Sequence, residues 1–183
     1  WQDEGYRPDV RIRLAYAPAG LHVVFRTYET NPLARYARPN DPVYKDSCVE
    51  LFLQPTPETD ARYVNFEWNA AGTLYLGLGT GRADSLPLEH DAVADFRAQV
   101  ETECRDEGDG EERVYWQVAF TVPFDWLQRI FPDFRPIPGW RMRGNLYKCG
   151  EETERPHYGV WHPVTSATPD YHRSQDFGEM RLG

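Results

Sequence analysis

Three groups of residues in this sequence have the types and spacing for chemistry. The first is the run Val43-Tyr-Lys-Asp-Ser-Cys-Val-Glu-Leu-Phe-Leu53. Asp46 and Ser47 give a polar lead-in to a strand in which Glu50 stands among apolar neighbours. A carboxylate there is costly unless it meets partners or a ligand. The aromatic Tyr44 lies just upstream. A ring that stacks on C–H faces, beside a carboxylate that accepts hydroxyl hydrogen bonds at the mouth of a β-sandwich, is sugar-binding chemistry. The second group is Asn65, Glu67 and Asn69, which share one face of a strand over Tyr63–Asn69. Such a row either points inward and holds hydroxyl groups or is a solvated face, and the pattern leaves both open.

The third group lies in two long loops, Thr30–Lys45 and Gly150–Arg173, which carry Tyr36, Tyr44, His157, Tyr158, Trp161, His162, Tyr171 and His172. Loops of this length in a compact domain are usually functional or disordered, and their aromatic and proline content argues against disorder. Clustered rings can bracket a sugar or lie as lids over the ends of a sandwich. Tyr44 and Tyr171 read as ligand platforms. Trp161, followed by His162 and Pro163, reads as partly buried.

Other constellations carry less. Glu50 and Glu67 could be the paired carboxylates of a glycoside hydrolase, but nothing in the sequence sets them at a catalytic distance. No serine or cysteine nucleophile stands with an ordered His and Asp. Gly77–Arg82 is glycine-rich but has neither dinucleotide nor Walker spacing, and no helix follows. It reads as a strand end closely approached by another backbone. The acidic run Arg105–Glu112 offers oxygen ligands for calcium without EF-hand spacing, so a solvated hairpin turn is expected.

Bulk composition narrows the classes. The 183 residues suit one domain with a sizeable core. The formal net charge of -9 argues against nucleic acid as a partner. No apolar run approaches the ~20 residues of a membrane span. The chain opens at Trp1 without a Met, which reads as a start inside a longer protein, so a missing leader gives no compartment. Cys48, Cys104 and Cys149 are an odd count without a C-x-x-C, which argues against a zinc site or a full disulfide framework; three buried free thiols are expected, with one disulfide plus a free thiol as the alternative. Aromatic residues make up 14% of the chain, a composition that favours strands and supplies flat platforms.

Alternation of period two organises the chain. One face of a first strand is predicted from Val10, Ile12, Leu14 and Tyr16, and a second strand from Leu21, Val23 and Phe25 after the turn Ala17–Gly20. Val49, Leu51 and Leu53 give a third. Val64, Phe66 and Trp68 give a fourth, and Gly72 turns the chain into Leu74, Leu76 and Leu78. Later strands are predicted at Phe96–Glu103, Arg113–Val122, Trp140–Lys148 and Phe177–Leu182, with one short helix at Pro123–Phe131 ended by Pro132. Many short strands punctuated by Gly and Pro predict an all-β sandwich of antiparallel strands with one short helix and two long loops.

The stretches Gly5-Tyr-Arg-Pro-Asp-Val10, Asp46–Phe52, Tyr63–Asn69 leading into Gly72-Thr-Leu, Arg143–Gly150, Pro156-His-Tyr, Trp161-His-Pro163, and Pro169–Arg173 to Phe177-Gly178 occur in one order over nearly the whole chain. In this the chain resembles carbohydrate-binding module family 9. The resemblance implies a jelly-roll β-sandwich over residues 1–183. It implies a non-catalytic module that grips a sugar or a glycan chain end between two loop rings, with Tyr44 and Tyr171 at the ring positions. Both rings are usually Trp in the family. Glu50 and Asn65 match positions that bond sugar hydroxyls, and Tyr63 stands where an Arg is often found. The expected binding set is Tyr44, Glu50, Asn65, Glu67, His157, Trp161 and Tyr171. No cofactor is required, though the family often holds structural calcium. Work beside a polysaccharide-degrading glycoside hydrolase and a place outside the cytoplasm are implied as well. The alternatives are a hydrolase using Glu50 and Glu67, a protein-interaction sandwich without sugar binding, and a haem-holding sandwich using Met142 or Met180 with histidine.

Overall fold

A computed structural model describes residues 1, 5–108 and 111–183. Two antiparallel sheets face each other. The strands are β1 (Asp9–Ala17), β2 (Gly20–Tyr28), β3 (Cys48–Gln54), β4 (Tyr63–Asn69), β5 (Leu74–Gly79), β6 (Leu86–Pro87), β7 (Gln99–Gly108), β8 (Glu111–Pro123), β9 (Arg141–Gly150), β10 (His157–Val160) and β11 (Gly178–Arg181). The smaller sheet has the order β1-β2-β8-β7. The larger has the order β10-β9-β3-β4-β5-β6, with β11 also paired to β9.

The alternating apolar residues meet between the sheets. Val23 and Phe25 of β2 and Trp116, Val118 and Phe120 of β8 pack with Val49, Leu51 and Leu53 of β3, and with Val64, Phe66 and Trp68 of β4. Helix α2 (Phe124–Ile130) closes one end with Phe124 and Leu127, and its start after Pro123 follows the sequence prediction within a residue. Gly20 sits against the opposite strand so closely that a Cβ there would lie 2.6 Å from the Val122 carbonyl oxygen.

Several boundaries differ from the sequence reading. The stretch predicted as a strand from Phe96 begins instead as helix α1 (Ala92–Phe96), whose first turn is capped by the Asp91 carboxylate accepting from the Val93 and Ala94 amides. Phe96 is its buried anchor. β10 forms inside the second long loop by pairing with the end of β9. Leu14 and Tyr16 are exposed although Val10 and Ile12 pack on the core; all four stand on β1, the edge strand of the smaller sheet. Cys104 is half-buried rather than buried, while Cys48 and Cys149 are buried, and all three are free thiols. Met142 is a core residue and Met180 packs against that core. In the acidic run Arg105–Glu112, residues 109 and 110 lie outside the described residues.

The outer face of the larger sheet is also covered. Val43, Cys48, Phe52, Tyr63, Tyr147, Cys149, Val164, Tyr171 and Phe177 form a second apolar cluster there, where both long loops fold back over the strands. A sheet with both faces buried reads as near-continuous burial rather than alternation, and every residue of β3 and β4 is buried.

Candidate functional site

Cross-strand register places the polar residues of this covered face. Glu50 on β3 is directly opposite Glu67 on β4, which is opposite Tyr75 on β5. Glu50 is also opposite Tyr147 on β9, and Cys48 is opposite Cys149. The row Asn65, Glu67 and Asn69 is therefore inward, and all three side chains are buried. A cavity of about 260 Å³ opens above Glu50 and Glu67, walled by Tyr44, Tyr75, Tyr158, Tyr171 and His172, with Arg82, Ser85, Cys149, Glu151 and Asp170 among its other lining residues.

The polar lead-in to β3 builds one wall. Asp46 is fully buried and accepts hydrogen bonds from the Arg35 and Tyr36 amides at 2.8 and 3.0 Å and from Asn69 Nδ2 at 3.0 Å. Ser47 Oγ accepts from the Leu33 amide and donates to Glu29 Oε1. Together they tie down the first long loop and carry Tyr44, on a single 3-10 turn (Val43–Lys45), to the rim with 36% of its surface exposed. Asn69 completes this lock: its Oδ1 accepts from the Ala71 and Thr73 amides across the turn at Gly72, which has a φ of +85°.

Tyr171 forms a second wall but is held by the protein itself. Its ring stacks on Tyr147 with centroids 3.9 Å apart and planes 7° from parallel, and its hydroxyl donates to the Lys148 and Gly159 carbonyls. Only 7% of it is exposed. Asn65 lies behind the cavity floor. Its Nδ2 donates to Glu67 Oε1 at 2.8 Å, while its buried Oδ1 has no partner. Ser85 Oγ is buried without a partner too. The two flank Gly77, where an added Cβ would lie 2.5 Å from Asn65 Oδ1 and 2.9 Å from Ser85 Oγ.

Two residues of the expected set lie elsewhere. His157 is buried in an ionic cluster between the sheets, with Nε2 2.7 Å from Lys148 Nζ and Nδ1 2.8 Å from the Arg155 carbonyl. Burial, and next the Lys148 charge, hold its pKa below the ordinary histidine value. Trp161 is 51% exposed rather than partly buried, because it lies over Gly178 on the far side of β9 from β3, where it lines a different groove with Trp1 and Arg7. Sequence reading did not single out Tyr75, Arg82 or Ser85. Tyr75 was accessible by the alternation that placed Leu74, Leu76 and Leu78 on the opposite face. Arg82 and Ser85 sit on a tight turn whose direction no local pattern reveals.

That turn also accounts for the glycine-rich segment. The Asp84 carboxylate accepts from the Thr80 and Gly81 amides, so the donors a phosphate would need are already occupied. Gly79 is the close approach the sequence suggested: a Cβ would lie 2.6 Å from Ser85 Cα.

The cavity is acidic. Burial pushes the Glu67 carboxyl up to about 7, against the lowering effects of Asn65 and Arg82. Burial, then the neighbouring Cys149 and Glu67, hold Glu50 well above the usual carboxylate range. Burial, followed by the Arg82 charge, lowers His172 to about 4. Among the described residues one group of three donors, Cys48, Glu50 and Cys149, lies close enough to share a metal ion. Two thiols make that set unsuited to calcium, which takes oxygen ligands.

The family profile described as carbohydrate-binding family 9 matches residues 1–182. Among solved structures, one from Bacteroides uniformis, described as a candidate carbohydrate-binding protein, is 27% identical with a TM-score of 0.80. It covers 99% of this chain and 81% of its own. A carbohydrate-binding module of family 9 from Caldicellulosiruptor kristjanssonii in complex with glucose is 13% identical with a TM-score of 0.62, over 99% of this chain and 80% of that one. The same organism's module with cellotriose has a TM-score of 0.60 at 13% identity, over 98% and 77%. No curated protein is matched.

Proposed function

We propose, on the premise that this chain belongs to carbohydrate-binding family 9, that it binds a sugar unit without catalysis in the cavity above Glu50 and Glu67. The observation that carries this reading is a covered sheet face on which two buried carboxylates are direct cross-strand neighbours beneath aromatic walls. Carboxylates accept hydroxyl hydrogen bonds strongly, and tyrosine rings pack against sugar C–H groups. Catalysis is disfavoured because Glu50 and Glu67 approach from one side of one sheet, whereas a glycosidase pair flanks the scissile bond.

The chain's solved neighbours with glucose and cellotriose lend support to a neutral hexose or its β-linked chain as a first ligand to try. No helix among the described residues is long and apolar enough to cross a membrane. Action beside a polysaccharide-degrading enzyme outside the cytoplasm accords with this reading. A glycan array followed by isothermal titration calorimetry tests it, run with and without calcium. Saturable binding that Tyr44→Ala weakens supports the proposal. A blank array from folded protein, with no heat on titration, sinks it.

A further inference from the structure

We propose that the unit this cavity selects is an amino sugar, a glycan residue bearing a free protonated amine, held by Glu50 and Glu67. The proposal rests on the carbohydrate-binding reading and gives it a substrate class. Four carboxylates line the cavity, Glu50, Glu67, Glu151 and Asp170, against one lining cation, Arg82. Arg82 is bound to Asp170 at 3.0 Å. Glu50 meets only the Cys149 thiol, at 3.1 Å, and Glu67 meets the Asn65 amide at 2.8 Å. Neither forms an ion pair among the described residues.

Two neighbouring carboxylates removed from water are complementary to a cation, and burying them without one is costly. Burial disfavours the ionised form of both groups, and an ammonium, unlike a sugar hydroxyl, supplies the positive charge that stabilises it, through charge-assisted hydrogen bonds. A second observation is an unpartnered acceptor on the cavity wall: Ser85 Oγ is buried without a hydrogen-bond partner. An ammonium carries three donors and no acceptor, which suits a site whose acceptors outnumber its donors. Tyr75, directly opposite Glu67, adds a ring beside the cation position. Uronic and sulfated sugars meet repulsion from the same carboxylates.

The test is calorimetric titration of the wild-type protein with glucosamine, glucose and N-acetylglucosamine. A chelator is included so that no metal ion occupies the carboxylates, and the pH is set below the amine's own pKa. Glucosamine is expected to bind about tenfold tighter than glucose, the gain from making a hydrogen bond charge-assisted. N-acetylglucosamine, with the charge removed, should lose that advantage. In Glu67→Gln, confirmed folded by circular dichroism, the glucosamine-to-glucose affinity ratio should fall toward one. Glucose or N-acetylglucosamine binding as tightly as glucosamine overturns the amino-sugar assignment and leaves sugar binding standing. Failure of all three sugars, together with a blank glycan array, overturns both.

Discussion

Lys148 Nζ lies 3.2 Å from Glu29 Oε2, and both side chains are almost completely buried. The pair joins β9 of the larger sheet to the segment leaving β2 of the smaller one. Glu29 also accepts from Ser47 Oγ at 2.9 Å and Trp116 Nε1 at 3.1 Å, and Lys148 reaches His157 Nε2 and the Cys149 carbonyl. The cluster therefore links both sheets, the first long loop and β10 at one end of the sandwich. Breaking a buried pair from one side leaves an uncompensated charge, at a cost of about 3–5 kcal/mol. Lys148→Met should lose that much in urea unfolding. The double variant Glu29→Gln with Lys148→Met should lose less than Lys148→Met alone. Equal or greater loss in the double variant contradicts the charge-pair account.

Tyr44 and Tyr171 should behave differently when truncated. Tyr44 is at the rim, so Tyr44→Ala is expected to keep the melting temperature within a few degrees and weaken sugar binding at least about tenfold, the scale of one lost ring stack. Tyr171 is part of the packed outer face, stacked on Tyr147 and bonded twice through its hydroxyl. Tyr171→Ala should cost about 3–5 kcal/mol of stability, the range for large buried aromatics. Tyr171→Phe isolates the hydroxyl and should cost about 1–3 kcal/mol through two carbonyls left without that donor. Binding and melting measured on all three variants separate platform from packing.

Acid and base titrations should pull stability in opposite directions at this site. Glu67 has a folded pKa raised to about 7, so between the unfolded carboxylate range and about 7 the native state binds more protons than the unfolded chain. Its contribution therefore makes the protein less stable as pH rises through that window. His172 has a folded pKa lowered to about 4, so between about 4 and the ordinary histidine value the unfolded chain binds more protons. Its contribution makes the protein less stable as pH falls through that window. Thermal melts from pH 4 to 8 should show Glu67→Gln gaining stability relative to wild type as pH rises. His172→Gln should gain relative to wild type as pH falls. Parallel curves for the variants and wild type would falsify both assignments.

The strands that frame the site were legible because their apolar residues alternate. β3 and β4 fall where Val49, Leu51, Leu53 and Val64, Phe66, Trp68 place them. The carboxylate pair was visible as two residues but not as a pair, since register depends on which strands become neighbours rather than on either strand alone. Asp46, Ser47 and Asn69 show the complementary difficulty. Polar residues that lock a loop and polar residues that bind a ligand have the same composition, and only their partners distinguish them. β10 escaped notice because four residues with a glycine at the third carry almost no pattern. It is a strand because β9 extends far enough to pair with it. The strand predicted over Phe96–Glu103 starts late, because Asp91 caps a helical turn first and Arg97 ends it in the left-handed region.

Gly77 gives the sharpest test of the cavity floor. It is opposite Asn65 on β4, and any Cβ there would lie 2.5 Å from Asn65 Oδ1 and 2.9 Å from Asn65 Nδ2. Such contacts force a shift, and overpacking of this kind costs about 1–3 kcal/mol. Asn65 is the group that must move, because the β4–β5 pairing fixes the backbone on both sides. Its displacement disturbs the bond to Glu67 Oε1, which lines the cavity. Gly77→Ala should therefore lower sugar affinity more than about tenfold while reducing stability only within that range. Gly159 is a control, since a Cβ there meets Lys148 Cβ at an ordinary 3.5 Å. Gly159→Ala should leave affinity nearly unchanged. Equal binding by Gly77→Ala and wild type would place the ligand away from Asn65 and Ser85.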